Sequence, residues 1–181
     1  MTLLDIISSA LTQMGNTNDA QVMHEWRDKL TQIANEGQAD LAAALRLRRT
    51  DSIDLGDDGL LDIKSDLPYE CLKVIRVLQN GREIPFGRGP STYEIRVNAS
   101  GTVEVEYRYL PKPMSNETDE PGIPERLHTL LVNYVLGKDI TTNDITTQSR
   151  SQQFYELYER GKAKAQKEYG EPEFYGIVNK W

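Results

Sequence analysis

The stretch Tyr93-Glu94-Ile95-Arg96-Val97-Asn98-Ala99-Ser100-Gly101-Thr102-Val103-Glu104-Val105-Glu106-Tyr107-Arg108-Tyr109 decides the fold class. Apolar residues alternate with polar ones on both sides of the turn-forming residues 98–101. A period of two puts every second side chain on one face of a half-buried strand. The spacing therefore predicts an antiparallel hairpin, with Tyr93, Ile95 and Val97 on one strand and Val103, Val105, Tyr107 and Tyr109 on the other. Upstream, the apolar run 71–78 meets Asn80-Gly81, a strong hairpin-turn dipeptide, and then residues 82–86. Residues 52–55 and 60–64 flank Gly56-Asp57-Asp58-Gly59, read as a third hairpin turn.

Outside this strand block the apolar period changes to that of a helix. Leu3, Leu4, Ile6, Ile7, Ala10, Leu11 and Met14 predict a first amphipathic helix over 2–14, stopped by Gly15-Asn16. Val22, Trp26, Leu30, Ile33, Ala34, Leu41 and Leu45 predict a second over 19–49, with Gly37 marking a bend or a close helix crossing. Prolines 111, 113, 121 and 124 punctuate an acidic connector, expected to be exposed and mobile over 112–121. Pro124 suits the first turn of a helix carrying Leu127, Leu130, Leu131, Tyr134 and Val135. A last helix, 146–169, carries Phe154, Leu157, Tyr158, Gly161 and Ala165, and ends at Gly170 before Pro172.

The fold class that follows is α+β: an α-helical bundle with an antiparallel β insertion and an extended C-terminal tail. Residues 1–50 supply the N-terminal helices, 51–111 the insertion, 112–170 the connector and C-terminal helices, and 171–181 the tail. Each helical half is too small to bury a core alone, so the parts form one domain. Leu30, Ile33, Leu41, Leu127, Leu131, Phe154 and Leu157 are expected to share its interior.

The chain has 181 residues, 38% of them hydrophobic, and a formal net charge of −7. Its mean hydropathy is −0.57. An acidic balance argues against gripping nucleic acid by its backbone, which needs a basic footprint, and against reading a DNA sequence. It leaves room for lining a conduit through which DNA slides. With Cys71 as the single cysteine there is no intrachain disulfide and no multi-cysteine zinc site. No secretory segment or long apolar span is found, so a soluble chain made in a reducing cytoplasm is expected.

Chemistry is sparse. His24 and His128 stand alone without metal-ligand spacing and read as surface or interface residues. The carboxylates of 51–59 fail the spacing of a calcium loop, and Gly81, Gly87 and Gly89 make no phosphate-binding loop. Cys71 sits in a strand pattern and reads as core. No residue is assigned to catalysis, metal or cofactor. An enzyme with an unrecognised site would need a pocket of convergent polar groups, for which the sequence supplies no cluster.

Two features point to partners instead. Arg46, Arg48 and Arg49 form the densest positive run, read as a solvated helix C-terminus, with an intersubunit ion pair or contact with passing DNA as alternatives. The tail carries Phe174, Tyr175, Ile177, Val178 and Trp181, too many large apolar groups for a free segment. It either folds back on its own helices or docks on a neighbouring subunit or partner.

The order of the pieces resembles the phage head-to-tail adaptor family. Three stretches carry the likeness: the long second helix followed at once by a strand, Asp66-Leu67-Pro68-Tyr69-Glu70-Cys71-Leu72-Lys73-Val74-Ile75-Arg76-Val77 closed by Asn80-Gly81, and the helix begun by Gly122-Ile123-Pro124-Glu125-Arg126-Leu127 and running through Tyr134 to Asp139. The resemblance implies a non-enzymatic virion protein, made in the host cytoplasm, without cofactor or membrane contact. It implies a dodecameric ring on the portal, partners among portal, tail and neck proteins, and passage of DNA during ejection without sequence recognition. Another neck or tail-completion protein is the alternative.

Overall fold

In a computed structural model the described residues are 1–15, 20–138 and 145–169. Helix α1 spans Leu3–Met14 and α2 spans Ala20–Leu45. Seven strands follow: β1 Arg48–Leu55, β2 Leu60–Asp62, β3 Glu70–Gln79, β4 Arg82–Ile84, β5 Phe86–Arg88, β6 Glu94–Val97 and β7 Gly101–Leu110. A short 3-10 turn, Glu125–Leu127, leads into α3 His128–Lys138, and α4 spans Ile145–Tyr169. The molecule is therefore mixed α+β with antiparallel sheets.

Local chemistry sets the helix ends. Thr2 and Asp5 form a reciprocal capping box at α1, and Gly15 closes it with φ 82°. At the end of α2 the amide of Leu47 bonds Ala42 O and that of Arg46 bonds Ala43 O, at 3.3 and 3.2 Å. This is a Schellman closure in which Arg46 takes the left-handed place at φ 54°. The predicted helix thus stops four residues early. Arg48 and Arg49 are strand residues, and no helix end accounts for their charge.

Two sheets divide the strands, with orders β1-β7-β3-β4 and β2-β6-β5. The Asn80-Gly81 turn joins β3 to β4 with φ 52° and 75°, the two positive values a type I′ hairpin needs. The other two predicted hairpins do not form. β6 pairs with β2 and β5, whereas β7 pairs with β1 and β3, so residues 98–101 carry the chain between sheets. Residues 56–59 do the same between β1 and β2. The two crossings lie together, since Val97 N bonds Gly59 O at 2.8 Å. A Cβ on Gly59 would lie 2.3 Å from Val97 O, and its φ is 62°.

The described residues form two apolar clusters. One gathers side chains from all four helices, among them Leu3, Ile7, Leu30, Leu41, Leu131 and Tyr158, with Leu47 and Leu110 joining from the strand ends. The other lies within the strand region, around Leu61, Val77, Val105 and Tyr107. Gly37 marks a close crossing, because a Cβ there would meet the Tyr134 ring at 2.8 Å. Leu157, expected inside, is half exposed, and Tyr158 takes its place in the core. His128 is also inside, at 4% exposure, with Nε2 3.0 Å from Ile123 O.

The connector expected to be mobile is pinned. Asn35 of α2 donates to Met114 O and accepts from Met114 N, at 2.9 and 2.8 Å. Gln38 donates to Lys112 O and accepts from Gly122 N, at 3.1 and 2.8 Å. Lys112 and Gly122 stand at opposite ends of the loop, and Gly122 packs so closely on Pro111 that a Cβ would come within 2.6 Å. The amides of Leu3 and Leu4 bond the carbonyls of Asp119 and Glu117. Prolines and acids keep most of the loop on the surface, but hydrogen bonds from two helices fix its course.

Candidate assembly interface

The arginines singled out by sequence lie beside the central strand β7. Alternation puts Val103, Val105 and Tyr107 on its core face and Glu104 and Glu106 on the other. Glu106 is nonetheless only 8% exposed, because cations on both flanking strands cover it. Arg48 Nη1 of β1 approaches Glu106 Oε1 at 2.9 Å, and Arg76 Nε of β3 approaches Oε2 at 2.5 Å. Hydrogen bonding from Arg48 holds the Glu106 carboxyl below the usual range, and Arg76 adds to this against the opposing effect of burial.

Arg49 belongs to the opposite face. Its Nε reaches both oxygens of Asp51 at 2.8 Å, and Tyr107 Oη donates to Asp51 at 2.6 Å. The guanidinium also lies 4.6 Å from the Tyr69 ring centroid. Arg48 therefore staples the edge strand to the sheet centre, while Arg49 holds Asp51 of its own strand, which accepts from Tyr107 of β7. Arg46 is exposed and makes no ion pair among the described residues. Glu106 escaped the sequence reading because its partners come from strands far away in the chain, and register alone unites them.

An acid titration tests the Glu106 triad. A folded-state pKa held below the unfolded one contributes stability above the unfolded value, near 4.3, that is lost as pH falls through the folded value. Glu106→Gln is expected to lose about 1.5–3 kcal/mol near pH 7, with the gap to wild type closing below about pH 4. An equal gap at pH 7 and pH 3, read from denaturant midpoints, would refute the triad's role.

Helix α4 is held to α2 by a second polar cluster. Asp40 accepts from Lys162 Nζ at 2.8 Å and from the Tyr158 hydroxyl, and Lys162 also reaches Glu159 at 2.8 Å. Burial pulls the Asp40 carboxyl upward, but the bonds from Lys162 and Tyr158 outweigh it and hold it low. Burial with the Asp40 bond pushes the Tyr158 hydroxyl far above its ordinary value.

Cys71 is half-buried, and burial pushes its thiol up to about 11, the behaviour of a packing residue rather than a nucleophile. Among the described residues no three His, Cys, Asp or Glu could hold a metal, and no helix is long and apolar enough to cross a membrane. The tail residues Phe174, Tyr175, Ile177, Val178 and Trp181, and the predicted stop at Gly170, lie outside the described residues.

What the described surface offers is a stapled sheet and long helices carrying exposed Leu4, Leu72, Phe86, Tyr93, Leu157 and Tyr169. A family model described as SU10 adaptor protein matches residues 1–173. The chain belongs to the SU10 adaptor family. No curated protein matches it. The SU10 adaptor family is a phage adaptor family, structural in kind, which agrees with the head-to-tail adaptor resemblance. Membership of a phage adaptor family implies a virion component that interacts with other virion components.

Proposed function

We infer that this adaptor assembles as a dodecameric ring on the portal vertex, joins capsid to tail, and forms part of the DNA passage. The family match over residues 1–173 carries this reading. A net charge of −7 suits a conduit, because weak attachment lets DNA slide without sequence recognition. In this reading the chain is one domain, a helical bundle with the strands as an insertion, assembled on portal particles in the host cytoplasm before tail or neck proteins bind. The apolar tail supplies the anchor on a neighbouring subunit or the portal. Arg46 is the arginine available to meet a partner, since Arg48 and Arg49 engage carboxylates of their own chain.

Co-sedimentation with purified portal particles tests it. Loading of many copies per portal is expected, whereas binding to tail particles but not to portal would favour a tail-completion protein. Removal of residues 171–181 is expected to leave the melting temperature within about 2 °C of wild type. It is expected to abolish portal attachment, because burying each large apolar group is worth roughly 1.5–3 kcal/mol. A truncated chain that unfolds, or one that still attaches normally, defeats the anchor.

A further inference from the structure

The outward faces of α2 and α4 carry opposite charge at helical spacing. On α4 the exposed residues Arg150, Gln153, Leu157, Arg160, Lys164 and Lys167 recur every three or four positions and so form one stripe. It holds four cations and no acid, in a chain of net charge −7, with the half-exposed Leu157 at its middle. The inward face is set by Ser151, Tyr158 and Ala165, so the stripe points away from the molecule's own core. Among the described residues these cations engage groups of their own helix: Arg160 with Glu156 at 3.8 Å, Lys164 with Glu168 at 4.0 Å, and Arg150 over the Phe154 ring at 5.8 Å. Such pairs contribute little.

On α2, Gln21, Glu25, Asp28, Gln32 and Glu36 are exposed and share one side. Beside them runs a groove between α2 and the pinned connector, whose lining includes Thr31, Ala39 and Met114 together with Asp28 and Glu36. Thr31 Oγ1 is buried there without a hydrogen-bond partner. The floor is small and apolar at Ala39 and Met114, and the rim carries Asp28 and Glu36 together with Arg27, whose charge Glu117 meets at 3.2 Å, so it is acidic on balance. A leucine flanked by arginines and lysines is its counterpart in shape and charge.

We propose that the α4 stripe of one copy docks along the α2 groove of the next, with Leu157 over Ala39 and Met114 and the α4 cations against Glu25, Asp28 and Glu36. The occupant is a second copy of this chain. The two faces differ, so the contact is heterologous, and repetition of a heterologous contact generates a ring when the rotation closes. The inference rests on the ring reading above and assigns it a surface. Charge complementarity would orient copies during encounter and weaken with salt.

Two charge-reversed chains test it on portal particles. One carries Arg150→Glu, Arg160→Glu and Lys164→Glu; the other carries Glu25→Lys, Asp28→Lys and Glu36→Lys. All six positions are exposed, so both chains should fold, checked by circular dichroism and melting. Alone, each is expected to load portal at least about tenfold less well than wild type. Mixed in equal amounts they are expected to recover, because in an alternating ring every α4 then faces an α2 of opposite charge. Undiminished loading by either variant overturns the docking surface and leaves the ring reading standing. Loss without recovery on mixing overturns it too, since the charges would then serve a contact with portal. Wild-type chain that loads only as isolated copies overturns both.

Discussion

Tyr158→Ala is expected to destabilise the fold by about 3–5 kcal/mol, the range for deleting a large buried aromatic side chain. In a chain of this size that lowers the melting temperature by roughly 10 °C. The reason lies in what Tyr158 alone supplies, a large and wholly buried side chain at the centre of α4, where Phe154 and Tyr155 pack only partly buried. Among the described residues the buried positions of α4 are Ser151, Tyr158 and Ala165, two turns apart, and of these only the middle one is large. The ring is wholly buried, stands edge-on to Tyr134 at 4.8 Å between centroids, and lies 5.1 Å from Lys162 Nζ. Its hydroxyl donates to Asp40, so truncation also strips a partner from a carboxylate that keeps Lys162 in place. Tyr158→Phe retains the ring and should cost about 1–2 kcal/mol, the hydroxyl's share. Hydrogen exchange in the alanine variant should rise along α4 well before it rises in β3 and β7. A melting temperature within about 2 °C of wild type would contradict this account.

Gln38→Met should cost about 2–4 kcal/mol although side-chain volume hardly changes. Gln38 is 2% exposed, and its amide serves the Lys112 carbonyl and the Gly122 N–H at once. Methionine fills the space but leaves both backbone groups without their partner, and each unsatisfied buried group costs about 1–3 kcal/mol. Because those groups lie at the two ends of the connector, the substitution should free the loop as well as weaken the fold. The amide of Gly122 should then exchange far faster, while amides in the Asn80-Gly81 hairpin keep wild-type rates. Equal denaturant midpoints for Gln38→Met and wild type would show that water replaces the amide at no cost.

Features written in neighbouring residues were legible beforehand. Gly15 closes α1, Asn80-Gly81 turns β3 into β4, and Gly37 marks a crossing because only a missing Cβ lets Tyr134 so close. Strand existence was legible in the alternation of Tyr93–Val97 and Val103–Tyr109. Partner choice was not, since alternation says which face a residue takes and nothing about which distant strand lies alongside. Asn98–Gly101 has hairpin chemistry, yet β6 and β7 pair with other strands in separate sheets. The arginines were misplaced for a related reason. Helix α2 ends on a left-handed Arg46 rather than on a glycine, so nothing in the local sequence announced its stop. Nothing in the local sequence singles out Asn35 and Gln38, because their partners lie more than seventy positions away. Leu157 and Tyr158 are adjacent, and hydropathy favours the leucine inside; the Asp40 and Lys162 contacts reverse that choice.

The strand order also constrains how the protein can be born. β7 is the last strand to leave the ribosome and yet lies between β1 and β3. Until it arrives, β1 has no neighbour: Leu55 waits for Gly101 and Arg48 for Arg108. At about 5–20 residues per second, this leaves β1 unpaired for several seconds of synthesis, and pairings so distant in sequence close slowly. An unpaired strand is a template for wrong partners, and charged side chains are a known way to discourage them. β1 reads Arg48-Arg49-Thr50-Asp51-Ser52-Ile53-Asp54-Leu55, with four charges in eight residues. Arg48 and Asp51, which later hold β1 to β7, are thus also charges of the kind that disfavours wrong pairing while the central strand is missing.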